Sequence, residues 1–331
     1  MESVVPLETS WSETALLMPN FTRIAAKIQI RLLARLLERM GPENRAWLAR
    51  QMMRDRSDPR ARAFAEFSQQ SIEAWKNRQY DVHRNGEAAL LAALAPFKPA
   101  VLFDVGANIG EWSLAAVSVL PEARVHAFEI TPATAATLTA NAAPFGARLA
   151  VHPFGLGDHE GAITVYVSPR DGTANSTLRD AVVISADANG GQAIAEVAAR
   201  IITGDGFLRE HGISRIDFLK IDVEGAEFSV LRGFEEAFGR KAIDLVQFEY
   251  GEINLKTRDF LEDYYKFFTA RGFVVGKLYP EGVAFKEYTL ADEDFLGPNY
   301  IACRAERADL IAALRFPAMA RYPAARANSA I

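Results

Sequence analysis

The feature that most constrains the fold is an alternation of short apolar runs and helix-like segments that begins near residue 86. The run AVLFDVG at 100–106 and the run RVHAFEI at 124–130 flank a helical segment at 110–119. Strands buried on both faces of a parallel sheet are nearly continuous apolar runs, and helices connect them. The sequence therefore predicts an α/β fold with an open, mostly parallel sheet and helices on both faces.

The same alternation continues to about residue 305. Another helix is predicted at 132–143, where Pro132 suits the first helical turn. Further strands are predicted at 147–157, 161–168, 216–225, 242–251, 272–280 and 299–305. Residues 161–168 are taken as an extra edge or hairpin strand, and the other seven strands predict a seven-stranded sheet. Ligands of such sheets bind at the carboxyl ends of the strands. The polar, glycine-rich segment 169–193 is predicted to close over that edge as a lid or to be disordered.

The region before residue 86 is more basic, with 14 Lys and Arg against 10 Asp and Glu in a chain of net charge −5. Segment 21–41 predicts an amphipathic helix in which an apolar row runs beside a cationic row. The apolar row is Ile24, Ile28, Leu32, Leu36 and Met40, and the cationic row is Arg23, Lys27, Arg31, Arg35 and Arg39. Such a helix packs on its own domain or on a second copy in a homodimer, lies on a membrane surface, or contacts a polyanion.

Three regions follow from these patterns. Residues 1–85 form a helical N-terminal extension, in which 54–80 is a second, more polar helical stretch. Residues 86–305 form the α/β domain, and residues 306–331 form a C-terminal helix and a flexible tail. A chain of 331 residues is long enough for one large domain with such an extension.

Composition excludes several classes of protein. A net charge of −5 argues against nucleic acid as the main partner. Cys303 is the single cysteine, so an internal disulfide is excluded and a reducing, cytoplasmic compartment is the simplest expectation. The sequence near Met1 has no pattern of a secretory signal, and no apolar run reaches membrane-spanning length.

The stretch FDVGANIGEW at 103–112 forms the turn between the first strand and the first helix of the domain. Its spacing, with Asp104, Gly106, Asn108 and Gly110, differs from the G-x-G-x-x-G dinucleotide fingerprint. Glycines there allow a tight turn and close approach of a ligand, although packing alone also favours them. The acid at Asp104 disfavours an anionic ligand and favours a cationic or amino-bearing one.

Glu129 ends the second strand, where an acid can accept hydrogen bonds from a ribose diol. The two observations together predict a nucleoside whose other end is not a pyrophosphate. S-adenosylmethionine (SAM) meets this description, because it combines a ribose, an amino acid and a sulfonium cation.

Three further segments, together with the turn, resemble the FkbM family of SAM-dependent methyltransferases over roughly residues 80 to 304. They are LKIDVEGAEFSVLRGF at 219–234, QFEYG at 247–251 and GPNYIA at 297–302. The resemblance implies a class I methyltransferase sheet, a SAM cofactor and O-methylation of a hydroxyl on a sugar, glycan or natural product.

The resemblance also implies roles for individual residues. Asp104, Gly106, Asn108 and Gly110 would form the SAM turn, and Glu129 would bind the ribose. By the same resemblance Asp158 would lie near the adenine, and Asn85 and Glu87 would help to hold the methionine end.

The chemistry is expected at the ends of the fourth and fifth strands. Asp222 and Glu224 follow the fourth strand and Glu249 follows the fifth, so all three are expected to face the cofactor crevice. Asp222 and Glu249 are the candidate catalytic residues, because a carboxylate can withdraw the proton of an acceptor hydroxyl. The same oxygens would suit Mg²⁺, and helix capping is their structural alternative.

Two other functions remain open at this stage. One is a nicotinamide-dependent oxidoreductase on a similar sheet, against which the missing G-x-G-x-x-G counts. The other is a catalytically inactive binding or scaffold protein that acts through the basic N-terminal helix.

Overall fold

The computed structural model describes residues 20–167, 175–177, 179 and 194–316. The chain divides into two compact units that meet between Ile72 and Glu73, whereas the sequence placed the boundary at residue 86. The residues that follow Glu73 belong to the second unit and form hydrogen bonds and ion pairs within it. Asn77 donates a hydrogen bond to the carbonyl of Leu278 at 3.0 Å, and Lys76 forms an ion pair with Asp294 at 2.9 Å.

The first unit is helical. In chain order its helices are α1 (Asn20–Arg39), α2 (Pro42–Met52) and α3 (Pro59–Trp75), the last of which runs into the second unit. The predicted amphipathic helix at 21–41 is thus confirmed as α1. The predicted stretch 54–80 is shorter than expected, since α3 begins at Pro59, a residue suited to a first helical turn. Within the described ranges, no helix combines the length and apolar composition needed to cross a bilayer.

The second unit is built on an eight-stranded sheet and a smaller three-stranded sheet among the described residues. In chain order the strands are β1 (Val101–Val105), β2 (Arg124–Phe128), β3 (Leu149–His152), β4 (Gly155–Gly157), β5 (Gly161–Val167), β6 (Ala195–Thr203), β7 (Ile216–Ile221), β8 (Ile243–Glu249), β9 (Phe273–Tyr279), β10 (Gly282–Phe285) and β11 (Asn299–Arg304). The large sheet has the order β10-β9-β11-β8-β7-β1-β2-β3. Its five strands from β8 to β3 are mutually parallel, and the pairings that involve β9, β10 and β11 are antiparallel.

Helices lie between the strands, as the α/β prediction requires. They are α4 (Glu87–Leu94), α5 (Glu111–Val119), α6 (Pro132–Ala142), α7 (Gly204–Glu210), α8 (Glu227–Arg232), α9 (Glu235–Gly239), α10 (Asn254–Thr257), α11 (Leu261–Thr269) and α12 (Ala308–Leu314). Short 3₁₀ helices cover Ala95–Phe97, Ala143–Arg148 and Leu290–Asp292. The class I methyltransferase architecture expected from the sequence is therefore confirmed, with β10 as an eighth strand.

The smaller sheet has the order β4-β6-β5 and stands apart from the large one. The single strand predicted at 147–157 divides into β3 and β4, and the two parts belong to different sheets. Pro153 lies between them and lacks the N–H that a continuing ladder would need.

Both faces of the large sheet are buried under separate apolar clusters. In β1, Phe103 and Val105 pack into one cluster and Leu102 packs into the other, as strand alternation requires. Because both faces are packed, the ends of the parallel strands are held in fixed positions. The turn after β1, Glu129 after β2, Asp222 after β7 and Glu249 at the end of β8 therefore meet at one edge.

Two histidines of neighbouring strands stack in this core. The rings of His126 in β2 and His152 in β3 have centroids 5.3 Å apart and planes inclined by 12°. Nδ1 of His126 lies 3.1 Å from Nε2 of His152. Burial lowers the pKa of both rings to about 4, so both are neutral in the folded protein near pH 7.

We expect the free energy of unfolding to fall as the pH is lowered from 6.5 to about 4. In this window the unfolded chain takes up protons at both histidines and the folded chain does not. The variant His152→Gln should reduce the loss of stability at pH 5 by about 1–2 kcal/mol, after allowance for partial exposure of the ring. Urea denaturation at pH 7 and at pH 5 measures the difference.

The exposed His83 provides the matched control, because His83→Gln should keep the acid sensitivity of the unaltered protein. Equal acid sensitivity of His152→Gln and the unaltered protein would show that the stacked pair does not carry the effect.

Candidate active site

A cavity of about 230 Å³ opens at the carboxyl edge of the large sheet. Its walls come from the turn after β1, the end of β2, strands β4 to β6 and the segment that follows β7. Polar side chains of Asn108, Glu129, Asp222 and Glu224 line it together with an apolar wall. The apolar wall consists of Val105, Phe128, Ile130, Leu156, Ile163, Val165, Ile201 and Val223. The cavity thus lies where ligands bind in sheets of this kind.

Gly106 allows the turn after β1 to pack directly on the end of β7. Its φ is +84°, and a Cβ atom there would lie 1.7 Å from the carbonyl oxygen of Asp222. The backbone N–H of Asp222 in turn donates to the carbonyl of Val105 at 2.9 Å. Any side chain at Gly106 would therefore push the turn away from Asp222, and with it one wall of the cavity.

Asn108 lines the cavity, whereas Gly110 lies behind it. The backbone N–H of Asn108 donates to Oε2 of Glu129 at 2.9 Å. Its own Oδ1 is buried and has no hydrogen-bond partner among the described residues. Gly110 precedes α5 and faces the side chain of Leu138, so it supports the turn without reaching the cavity.

Glu129 is the acid that the turn holds most firmly. Only 6% of it is exposed, and its Oε1 accepts a hydrogen bond from the N–H of Thr131 at 2.8 Å. Burial raises the pKa of Glu129, although its two backbone hydrogen bonds favour the ionised form and limit the rise. Each carboxylate oxygen has a second acceptor position, so Glu129 could also accept hydrogen bonds from a ligand in the cavity.

Asp104 lies behind the turn and not in the cavity wall. It is fully buried, and its Oδ2 accepts a hydrogen bond from the hydroxyl of Ser113 at 2.6 Å. Its Oδ1 lies 3.4 Å from Nζ of Lys220. The acid of the turn therefore acts on a ligand only through its neighbours.

Lys220 joins Asp104 of β1, just before the turn, to Asp222 at the end of β7. Its Nζ lies 3.0 Å from Oδ2 of Asp222 in addition to its contact with Asp104, and it is only 5% exposed. Burial alone would lower the pKa of Lys220, but attraction to Asp222, Asp104 and Glu87 raises it overall. The sequence analysis missed this residue, although a lysine within the apolar run FLKI at 218–221 was a visible signal.

Three carboxylates meet beside the cavity. One oxygen each from Asp222, Glu224 and Glu249 lies within 4.8 Å of the others. Burial raises the pKa of Glu249 well above its ordinary range, and repulsion by Asp222 adds to the rise. Burial and the same repulsion raise the pKa of Glu224 to about 8. Burial alone would raise the pKa of Asp222, but attraction to Lys220 and the hydrogen bond from its ammonium, together with the neighbouring Glu249, lower it overall, so Asp222 is the ionised member of the group.

The two candidate catalytic residues have different positions. Asp222 lines the cavity together with Glu224, while Glu249 stands behind them and outside the lining. One carboxylate oxygen of Glu249 lies within 4.8 Å of one of Asp222, and repulsion between the two acids adds to the raised pKa of Glu249. The structure thus brings the predicted pair together and gives only Asp222 access to a ligand.

Asn85 and Glu87 belong to a buried polar network. The amide of Asn85 donates to Oε2 of Glu87 at 2.6 Å, and the amide of Gln247 donates to Oε1 of Glu87. Burial raises the pKa of Glu87, and attraction to Lys220 opposes the rise. Neither Asn85 nor Glu87 lines the cavity. Their hydrogen bonds join them to each other and to Gln247, and the charge of Lys220 acts on Glu87.

Asp158 is held by charged neighbours at the rim. It accepts hydrogen bonds from His159 at 2.8 Å and from Arg232 at 3.0 Å, and these lower its pKa to about 2. Its backbone N–H donates to the hydroxyl of Ser229 at 3.1 Å. His159 and Ser229 line the cavity and Asp158 does not, so Asp158 ties the loop that carries His159 to helix α8, which carries Ser229.

Several lining residues were missed by the sequence analysis. Ile130 directly follows Glu129, and that adjacency was the available signal. Ile201 of β6 gave no signal, because a second sheet was not predicted.

Most of the predicted lid 169–193 lies outside the described residues. Within it, residues 175–177 line the cavity, and the hydroxyl of Ser176 donates to the carbonyl of Glu224 at 2.6 Å.

Known proteins share the region that carries this site. A sequence model of the methyltransferase FkbM domain matches residues 104–275. The AMB antimetabolite synthetase AmbE of Pseudomonas aeruginosa is 34% identical over 173 residues, which cover 44% of this chain and 8% of AmbE. The 31-O-demethyl-FK506 methyltransferase FkbM of Streptomyces tacrolimicus is 32% identical over 157 residues, covering 41% of this chain and 60% of that protein. The hexuronic acid methyltransferase AglP of Haloferax volcanii is 28% identical over 188 residues, covering 56% of this chain and 71% of that protein.

The first two of these relatives are longer than the part that this chain matches, since it spans 8% of one and 60% of the other. The region matched by the family model nevertheless begins at Asp104 and includes Glu129, Lys220, Asp222 and Glu249. Sequence similarity and site geometry thus fall on the same residues. The chain belongs to the FkbM methyltransferase family.

Proposed function

We propose that this protein is a SAM-dependent methyltransferase that methylates a hydroxyl oxygen on a sugar, a glycan or a natural product. The observation that carries the proposal is the joint placement of Glu129 and Asp222 on one cavity at the carboxyl edge of the sheet. Glu129 suits the ribose of a nucleoside, and Asp222 suits a hydroxyl that loses its proton. We assign the activity to the second unit, which begins at Glu73.

The residues around the cavity fit SAM in three respects. Glu129 offers carboxylate oxygens at the end of β2, where a ribose diol would donate to them. The buried Oδ1 of Asn108, which lacks a partner among the described residues, would accept from an amino group of the cofactor. The apolar wall, to which Ile130, Leu156 and Ile201 belong, offers a surface for a flat base.

When bound, SAM supplies a methyl group on a positively charged sulfur, and a hydroxyl oxygen of the acceptor takes this group with loss of its proton. Asp222 is ionised at the edge of the cavity and accepts that proton. Glu249 lies within 4.8 Å of Asp222 and has a raised pKa, so in its protonated form it would donate a hydrogen bond to Asp222 and orient that carboxylate. Positioning of the acceptor by the cavity walls contributes more than the base, because proximity alone can lower such barriers by about 7–11 kcal/mol.

Lys220 keeps the base in its reactive form. With Nζ 3.0 Å from Asp222, it favours the carboxylate over the carboxylic acid. The same ammonium lies 3.4 Å from Asp104, which shares the turn with Gly106 and Asn108. We therefore propose Lys220 as the residue that fixes the base relative to the cofactor turn.

The acceptor class rests on the relatives. One is named for a demethylated FK506, a natural product that carries the methyl on oxygen, and another for a hexuronic acid. Both names describe hydroxyl-bearing acceptors, which agrees with a carboxylate base at Asp222. A uronic acid or a sugar-like natural product is the first acceptor to test.

The two rival functions have less support. A nicotinamide cofactor carries a pyrophosphate, and the turn at 104–110 lacks the glycine spacing that binds one. A scaffold that acts through α1 would not need an ionised Asp222 held by a buried lysine.

We expect S-adenosylhomocysteine to bind to the purified chain, and NADH not to bind, in calorimetric titrations. The variant Glu129→Gln should weaken S-adenosylhomocysteine binding by about 10–100-fold, because hydrogen bonds to a charged acceptor are lost. The matched control is Glu122→Gln, an exposed glutamate before β2, which should bind as the unaltered protein does.

Circular dichroism and thermal melting must show that each variant is folded. Binding of neither ligand to a folded chain would reject the enzyme function, and binding of NADH alone would favour the oxidoreductase.

We expect methyl transfer from labelled SAM to a panel of uronic acids and hydroxyl-bearing macrolides, detected by the mass of the methylated product. Asp222→Asn should lower turnover by about 100-fold or more, since it removes the base, and should change S-adenosylhomocysteine affinity by less than about 3-fold. Glu249→Gln should cost less, because Gln can still donate to Asp222. Unchanged turnover in a folded Asp222→Asn variant would remove Asp222 from the chemistry.

The Mg²⁺ that the sequence allowed as an alternative has a separate test. Three carboxylates lie within 4.8 Å of one another. Their negative charge could be balanced by Mg²⁺, or by Lys220 together with protons on the acids whose pKa is raised. We expect turnover to survive dialysis against EDTA, because Lys220 and the protons on Glu224 and Glu249 already offset the charge. Loss of turnover in EDTA and recovery with Mg²⁺ would instead assign the cluster to the metal.

A further inference from the structure

Helix α1 exposes a row of large apolar side chains. The exposed fractions are 53% for Ile28, 60% for Leu32 and 55% for Leu36, which recur every four residues along the helix. Ile30, Leu33 and Leu37 extend this apolar surface and are also exposed. Residues of this size are ordinarily covered, and a contiguous exposed row marks a contact surface.

A row of cations borders the apolar row along the whole helix. Lys27, Arg31, Arg35 and Arg39 are exposed, and each directly precedes a residue of the apolar row. Arg23 continues the same spacing in the sequence, and Glu38 is the one acid of the segment NFTRIAAKIQIRLLARLLER. The helix therefore carries five cations against one anion in a chain whose net charge is −5.

The two rows occupy different sides of one helix. At 3.6 residues per turn, the apolar residues from 28 to 37 cover an arc of roughly 200° and the cations an arc of roughly 120°. The helix is about 30 Å long at 1.5 Å per residue. An apolar arc flanked by Lys and Arg is the pattern of helices that lie in the interface of a membrane.

We propose that α1 docks on an anionic phospholipid surface, with Ile28, Leu32 and Leu36 at the acyl boundary and the cationic row on the lipid phosphates. Charge complementarity favours an anionic lipid surface as the partner of α1. Antiparallel contact with a second copy through the same apolar arc would place two cationic rows along one seam, where like charges repel, and parallel contact would leave both cationic rows without an anionic partner. A nucleic acid would pair with the cations and leave the apolar row in water.

The surface belongs to the first unit and is independent of the proposed methyl transfer. The first unit contains helices and none of the residues that line the cavity. Its docking would bring the methyltransferase unit to a membrane surface without any change in the site.

The experiment is flotation of the full chain with two kinds of vesicle, phosphatidylcholine alone and phosphatidylcholine mixed with phosphatidylglycerol. The unaltered chain should float with the anionic vesicles, fail to float with the neutral ones, and be released by added salt. The combined variant Lys27→Gln, Arg31→Gln and Arg35→Gln should bind the anionic vesicles roughly 100-fold more weakly. The combined variant Leu32→Gln and Leu36→Gln should also lose binding, since it removes apolar area.

The matched control removes three cations elsewhere in the first unit, through Arg45→Gln, Arg50→Gln and Arg54→Gln, and should bind as the unaltered chain does. Because all these side chains are exposed, the variants should keep the melting temperature and the S-adenosylhomocysteine affinity of the unaltered chain. Equal flotation with neutral and anionic vesicles, or equal loss in the control, would overturn the proposal. Self-association in light scattering that Leu32→Gln and Leu36→Gln abolish, without vesicle binding, would assign the surface to a second copy.

Discussion

The arrangement of the site depends on the contacts of the Lys220 ammonium group. This group is nearly fully buried and lies between Asp104 of β1 and Asp222 after β7, at 3.4 and 3.0 Å. These two strands are neighbours in the sheet, and Asp104 stands directly opposite Lys220 in their register. A buried charge of either sign is costly unless an opposite charge meets it, so the buried Lys220 and Asp104 depend on each other. Asp222, whose side chain is 36% exposed, supplies a second negative charge from the side of the cavity. The turn after β1 and the proposed base, Asp222, are therefore held at a fixed position relative to each other.

The charge balance around Lys220 also explains why the acids of the site differ. Asp222 is closest to the ammonium and stays ionised. Burial and repulsion from Asp222 raise the pKa of both Glu249 and Glu224. Neighbouring carboxylates whose pKa values are pushed apart are typical of sites in which one group takes a proton and another holds one. One lysine thus supports both the geometry and the division of roles between acids of the same type.

The sequence predicted the large sheet well, because its strands are apolar runs with clear ends and the physics of burial on both faces is local. It also placed Gly106, Asn108, Glu129 and Asp222 at the cavity, since residues at the carboxyl ends of parallel strands must meet. It did not predict the small sheet, because β6 pairs with β4 and β5 only through contacts distant in the chain. For the same reason it could not tell that Asp104 and Glu87 face Lys220 and not the ligand. How deeply a residue is buried at the carboxyl edge of the sheet depends on the packing of distant elements. The spacing of residues along the chain does not encode that packing.

The small sheet has a consequence for how this scaffold can change. The strands β4, β5 and β6 supply Leu156, Ile163, Val165 and Ile201 to one wall of the cavity, yet they hydrogen-bond to one another and not to the large sheet. The opposite wall, with Glu129 and Asp222, is fixed by the packed strands. Leu156 and Ile202 of these strands pack into the same apolar cluster as Val105 and Phe128, so side-chain packing, and not a hydrogen-bond ladder, joins this wall to the large sheet. A substitution at Ile163 or Ile201 would therefore reshape the apolar surface proposed for the base of the cofactor, while the strand ends that carry Glu129 and Asp222 keep their hydrogen-bond ladder.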